Sequence, residues 1–344
     1  MSLPAFWKSD LATLENLART VKKAEVGEIT RSAGGRPVWA FRYGERQEVV
    51  SRANYNSACG AGDFGSYLDK TGKKPVVMIV GGVHAGETEG IMSLHNWISL
   101  LETGRDLAGK PDPGAAEAAE GVRLVIVPIA NPDGRARMVP DAVFGMTRAE
   151  LEYWAQGTWK DGSLCKWPDC KKVHPIKDHV EFLGSYFNDD GINLMHDQFF
   201  KPMAPETQAL MDLAMEEYAD FILLLHGGSN SKNMLLNTCY APVEHNEALR
   251  SLAELCHAKA EPEGLVFQIP EVPAGPPTGK GKGAPPSFNL TSALHHATGA
   301  IAALFESNEH IIDMEGIKFT HEQIYRSHCI LFEETLRYMK DNQI

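Results

Sequence analysis

Long apolar runs are missing from this 344-residue chain: none approaches the roughly 18 residues that a helix needs to cross a bilayer. The segment Met1-Ser2-Leu3-Pro4-Ala5-Phe6-Trp7-Lys8 also lacks the extended apolar core of a secretory leader. A membrane is therefore not an expected partner, and a cytoplasmic setting is expected. Cysteine is sparse, six in all, so no disulfide framework holds the fold. Positive charge is in the minority. With 33 Lys and Arg against 45 Asp and Glu, the net charge is −12, which argues against nucleic acid as a partner. A 43% hydrophobic and 23% charged composition is that of a globular protein with a sizeable core.

What is present is an alternation of helical and strand-like patterns, the signature of a sheet covered by helices. The patterns predict a helix over 9–23, then strands over 25–32 and 37–43 joined by a turn holding Gly34-Gly35. A strand over 76–83 and a helix over 87–101 follow, then a strand over 122–130 and a short helix over 147–153. Further apolar runs at 220–225, 265–269 and 300–305 read as strands, and 320–340 as a closing helix. Two stretches break the rhythm: an irregular insertion over about 131–200, and a Pro/Gly-rich loop over about 270–286. Irregular segments of that size inside a compact domain tend to carry function. Neither repeat nor second domain is evident, so residues 1–344 are expected to form a single domain.

Chemistry gathers where the apolar runs end. The run Val76–Val80 stops at Gly81-Gly82 and is followed by His84-Ala85-Gly86-Glu87. An imidazole and a carboxylate three apart at a strand–helix junction can point into one crevice, and both suit Zn²⁺. A bare His-x-x-Glu is common by chance; its neighbours give it weight. The run Ile222–Leu225 ends in His226-Gly227-Gly228. His226 would complete a set of two histidines and one carboxylate with a coordination position open. The run 122–130 leads to Asn131-Pro132-Asp133-Gly134, a turn by its chemistry. Asp133 could accept the free ring N–H of His84, as outer partners of metal-bound histidines do. The run 300–305 ends in Glu306. A carboxylate closing an apolar strand is costly to bury unless it is paired or has work to do, and a general base is the role that fits. Cys165 and Cys170, with His174 and His179 after them, allow a small structural zinc site. Their spacing is no tighter than the limit for such loops, so two free thiols or one local disulfide in a polar loop is the reading adopted.

His-x-x-Glu, Asn-Pro-Asp-Gly, a distant His and a late Glu, in that order, resemble the zinc carboxypeptidase family. The similarity runs from about Ala24 to Phe332 and includes Gly34-Gly35-Arg36-Pro37 and Ser287-Phe288-Asn289-Leu290-Thr291-Ser292. It implies a three-layer α/β/α sandwich with a mixed, mostly parallel eight-stranded sheet. It implies one Zn²⁺ per chain, held by His84, Glu87 and His226. It also implies that Glu306 takes a proton from zinc-bound water, which attacks an amide carbonyl, and passes the proton to the leaving amine.

One part of the pattern fails. The family reads a terminal carboxylate through a segment like Arg-x-Asn-x-x-Gly-x-Asp-Leu-Asn-Arg. Here the stretch is Tyr186-Phe187-Asn188-Asp189-Asp190-Gly191-Ile192-Asn193-Leu194-Met195-His196. Tyr186 and His196 replace the two arginines, and one imidazole cannot form a bidentate clamp. Tyr186, Asn193, His196 and, from the Pro/Gly-rich loop, Lys280 are the candidate substrate-binding groups. Arg135 and Arg137 are candidates for stabilising the developing oxyanion. The expected activity is a zinc-dependent hydrolase, metallocarboxypeptidase-like, acting on a peptide or small amide with atypical anchoring. Two alternatives remain: an N-acyl amino acid deacylase of the aspartoacylase or succinylglutamate desuccinylase type, and an inactive zinc-binding recognition protein.

Overall fold

The computed structural model describes residues 2–46, 48–68, 74–201, 204–273 and 285–342. In chain order the strands are β1 (Glu25–Arg31), β2 (Pro37–Tyr43), β3 (Val76–Val80), β4 (Arg123–Val127), β5 (Gly157–Trp159), β6 (Val180–Leu183), β7 (Phe221–Gly227), β8 (Met234–Leu236) and β9 (Ile301–Ser307). The helices are α1 (Leu11–Thr20), α2 (Tyr55–Ala61), α3 (Thr88–Thr103), α4 (Gly114–Ala119), α5 (Pro132–Arg137), α6 (Arg148–Gln156), α7 (Pro205–Glu216), α8 (Val243–Ala260), α9 (Leu290–Thr298) and α10 (His321–Asn342).

The main sheet runs β1-β2-β4-β3-β7-β9-β8. Its centre, β4-β3-β7-β9, is parallel; β1, β2 and β8 pair antiparallel. Strands buried on both faces need not alternate polar and apolar residues, and Val76–Val80 and Phe221–Leu225 do not. Their side chains still divide by period two. Val77, Ile79, Phe221, Leu223 and Phe305 pack under α1, α3, α4, α8 and α10. Met78, Val80, Ile222, Leu224 and Leu304 pack under α7 and α9. Truncating one such side chain to alanine costs about 2–5 kcal/mol.

Seven strands, not eight, make up this sheet among the described residues. The run 265–269 contributes a single parallel bridge, Gln268 to Met234, although Leu265 and Phe267 are buried in the core. Its apolar pattern signals burial rather than pairing. The turn between β1 and β2 is as expected, with Ser32 N–H donating to Arg36 O at 2.8 Å and Gly35 at φ +80°. Asn131-Pro132-Asp133-Gly134 differs: it is the start of α5, with Asn131 Oδ1 accepting from Gly134 N–H at 2.9 Å and Pro132 in the first turn. That is the usual place for both residues.

The insertion is more ordered than its sequence suggests. Besides α5 and α6 it holds the β5–β6 hairpin and a satellite core of Ala155, Cys165, Cys170, Ile176, Tyr186 and Phe187. Cys165 and Cys170 are free thiols buried there, not members of a polar loop. Among the described residues they join no metal-holding group with His174 and His179. No helix of the described chain is long and apolar enough to cross a membrane.

Candidate metal centre

In a parallel sheet the carboxyl ends of the strands open onto a crevice where the chain changes direction across the sheet. Here β3 lies between β4 and β7, and the chain leaves β3 to one side for β4 and returns on the other as β7. His84 follows β3, Glu87 is the N-cap of α3, and His226 is the penultimate residue of β7. Gly90 lets α3 approach β7, since a Cβ there would lie 2.7 Å from Leu225 Cβ.

The three side chains meet. His84 Nδ1 lies 3.0 Å from Glu87 Oε1, His226 Nδ1 lies 2.8 Å from Glu87 Oε2, and the two Nδ1 atoms are 3.2 Å apart. All three residues are at most 5% exposed. The His84 tautomer follows from its other nitrogen. Asn193 Oδ1 accepts from Met195 N–H at 3.0 Å, which identifies it as the oxygen, and it lies 3.1 Å from His84 Nε2. The proton of a neutral His84 therefore sits on Nε2, leaving a lone pair on Nδ1. Burial holds the His84 imidazole below its ordinary range against the pull of Glu87. Burial alone would raise Glu87, but His84 and His226 outweigh it and keep its carboxyl well below the carboxylate range. A nitrogen lone pair thus faces a carboxylate in a buried site. Two imidazoles with one carboxylate, converging in this way, are a donor set suited to zinc. Among the described residues this is the one group of three or more such side chains.

The parallel register of β7 and β9 sets His226 opposite Glu306. Glu306 lines the same cleft of about 620 Å³. Its carboxyl is pushed up to about 8, first by burial, then by Glu87 and Glu309, with His226 opposing. Glu309, 2% exposed, also lines the cleft. Its Oε2 accepts from Ser229 N–H at 2.6 Å, while its Oε1 has no hydrogen-bond partner among the described residues. Burial, then Glu89 and Glu87, push Glu309 well above the usual range.

A model of the zinc carboxypeptidase family matches residues 11–264, most of the chain. The chain belongs to the zinc carboxypeptidase family. It is accordingly a zinc metallopeptidase. Solved carboxypeptidases share its fold. The metallo-carboxypeptidase of Burkholderia cenocepacia is 17% identical with a TM-score of 0.57, covering 96% of this chain and 68% of that one. The Pseudomonas aeruginosa metallo-carboxypeptidase, solved with (2-guanidinoethylmercapto)succinic acid, is 16% identical with a TM-score of 0.54, covering 96% and 68%. Carboxypeptidase A of Helicoverpa armigera is 15% identical with a TM-score of 0.53, covering 98% and 75%. No curated protein sequence matches the chain.

Against the family pattern, the remaining candidates divide. Tyr186 and His196 line the cleft. Tyr186 stacks on His84 with ring centroids 3.9 Å apart and planes 6° from parallel. Burial and then Glu87 push its phenol well up, so it remains a donor. His196 is pushed down to about 3, by burial first and then by Lys171, so it carries no charge at neutral pH. Asn193 lies where the pattern has aspartate, and it meets His84 rather than the open cleft. Its own N–H donates to His174 Nε2 at 2.9 Å.

Three expectations need correction. Asp133 does not reach His84: it accepts from Ser32 Oγ at 2.5 Å, Gly34 N–H at 2.8 Å, Arg36 Nη1 at 2.8 Å and Asp189 N–H at 3.1 Å. It pins the β1–β2 turn, and Asn193 takes the part assigned to it. Arg135, 4% exposed, binds Ser9 O, Ser9 Oγ, Met138 O and Asp141. Arg137 binds Leu183 O, Gly184 O, Phe187 O and Asp189. Both guanidinium groups tie segments together, and neither lines the cleft. Lys280 lies outside the described residues. Trp167, Lys171 and Glu309, unmarked by any motif, do line the cleft.

Proposed function

We propose that the chain hydrolyses an amide bond in a peptide or peptide-like substrate, with one Zn²⁺ on His84, Glu87 and His226 and with Glu306 as the base. The observation that carries this reading is the buried trio of His84, Glu87 and His226, with the Glu306 carboxyl set opposite His226 by strand register. A zinc ion there would supply a Lewis acid for the carbonyl and lower the pKa of coordinated water. Glu306 takes the proton of the attacking water and hands it to the departing amine, the two halves of a general base's and general acid's work. Tyr186 offers a phenolic O–H beside the ligands. Glu309 keeps a second carboxyl at the mouth of β9. Six free thiols accord with a cytoplasmic setting.

The test is metal content followed by turnover. Zinc-loaded wild type is expected to hold one ion per chain and to cleave a member of a panel of free-acid peptides, C-terminally amidated peptides and N-acyl amino acids. Glu306→Gln is expected to bind zinc equally and to lose about 10²–10⁴-fold in kcat. Absence of zinc binding would sink the reading. Cleavage restricted to N-acyl amino acids would select the deacylase alternative, and equal inactivity of both proteins would select a recognition role.

A further inference from the structure

A second cavity, of about 430 Å³, shares no lining residue with the cleft. It lies between the loop that follows α3, the turn that closes α8 and the first turns of α10. Its volume falls within the roughly 300–1,000 Å³ of sites that take small molecules. One side is apolar, with Leu265 beside Phe6 and Tyr325, whose rings stack with centroids 5.0 Å apart. The polar side is the loop 105–112, pinned by a bridge between Arg105 and Pro111. Asp106 shapes that loop, since its Oδ1 accepts from Ala108 N–H at 2.9 Å and from Lys110 N–H at 2.8 Å. The residue is only 7% exposed, and among the described residues its Oδ2 takes no hydrogen bond or ion pair. A buried carboxylate is expected to have a partner for its charge.

The charges around this cavity do not balance. Arg326 is taken up by Glu263, with Nη2 at 2.9 Å, and reaches Glu333 at 3.4 Å. That leaves the carboxylates of Asp106, Asp112 and Glu322 with the Lys110 ammonium alone. Burial first, then Cys329, Asp106 and Asp112, hold the Tyr325 phenol well above its ordinary value, so the ring stands uncharged beside two acids. We infer that the cavity binds a small organic cation, a primary amine carried on an apolar or aromatic stem. The ammonium meets the carboxylates of the loop, while the stem lies against Phe6, Tyr325 and Leu265. A bare metal ion fits less well: among the described residues the one group of three or more metal-holding side chains is His84, Glu87 and His226. The site is separate from the metal centre, so the inference stands or falls independently of the hydrolase reading.

The experiment titrates the zinc-loaded full chain by calorimetry with phenethylamine and with 2-phenylethanol, its neutral counterpart. Wild type is expected to bind the amine about tenfold more tightly than the alcohol, and the preference should shrink as salt is raised. Asparagine at position 106 or 112 can still accept the N–H bonds made by Oδ1 while losing the charge. The double variant Asp106→Asn, Asp112→Asn should therefore bring the ratio close to one, chiefly by weakening the amine. Lys110→Met removes the competing ammonium and should widen the ratio, a gain that a damaged fold would not produce. The inference is overturned if wild type binds neither probe or binds both equally. It is overturned as well if the preference survives in the double variant, if Lys110→Met narrows it, or if calcium chloride displaces the amine at one ion per chain.

Discussion

A histidine offers a metal one ring nitrogen only while the other holds the proton, and at His84 that division rests on Asn193. Replacing Asn193 with Leu would leave the buried Nε2–H without an acceptor and the ring free to tilt. Zinc affinity is expected to fall about 10–100-fold, read by competition with a chromophoric chelator. Asn193→Asp restores an acceptor with negative charge, so affinity should return to the wild-type value or exceed it. At this scale the sequence located three side chains that meet in one buried group able to hold a metal and misplaced the one expected behind them. His84 and His226 each follow an apolar run, a position where a polar side chain needs a reason, and Glu87 stands three residues after His84. Asp133 met the same criterion, yet its carboxylate was already committed to Ser32, Gly34 and Arg36. Nothing local to residue 133 reveals a debt to a hairpin about a hundred residues earlier.

Among the elements, β7 and β9 matter most to the proposed chemistry, because their register sets His226 opposite Glu306. His226 pairs with Glu306 and Gly227 with Ser307, and Gly228 N–H then donates to Ser307 O at 2.7 Å. A Cβ on Gly228 would lie 2.9 Å from Glu306 Cβ and 2.8 Å from Ser231 Oγ. Gly228→Ala is therefore expected to displace Glu306. We expect about 1–3 kcal/mol of destabilisation and a loss of kcat with zinc binding retained, checked by chemical denaturation, turnover and metal analysis. The strands themselves were largely readable: Pro37–Tyr43 and the starts of β3 and β9 follow the apolar runs to within a residue. Residues 265–269 were not, because β8 spans only Met234–Leu236 and leaves little edge to extend. The hairpin β5–β6 escaped notice for the opposite reason: strands of three and four residues are too short to show a period.

Across the whole molecule, buried carboxyl groups set the response to pH. Glu206 is fully buried, accepting from Ala33 N–H at 3.2 Å and from Asn188. Burial pushes it up to about 7 from an ordinary 4.5. A carboxyl raised in the folded state binds its proton more tightly there than in the unfolded chain. Its contribution to stability is present below about 4.5 and is lost as pH rises through about 7. Glu206→Gln should flatten this slope by about 1–3 kcal/mol between pH 5 and 8, measured by urea denaturation at each pH. Glu89 and Glu306, both raised to about 8, act in the same direction in the metal-free protein. Zinc binding requires unprotonated ligands, so the rise in Tm on adding zinc should be larger at pH 8 than at pH 6. The layered sheet followed from the alternation of patterns along the chain. The compactness of residues 157–190 did not, since its satellite core is assembled from single apolar residues set between turns.

That excursion also contributes the wall of the cleft. Tyr186 lies flat on His84, and His174 steadies Asn193, which in turn holds His84. The wall of the cleft and the brace behind His84 are consecutive stretches of one insertion. Selectivity and grip on the ion cannot then drift independently. Variants that reshape the wall at Trp167 or Tyr186 are expected to alter metal retention as a by-product, because both rings contact His84.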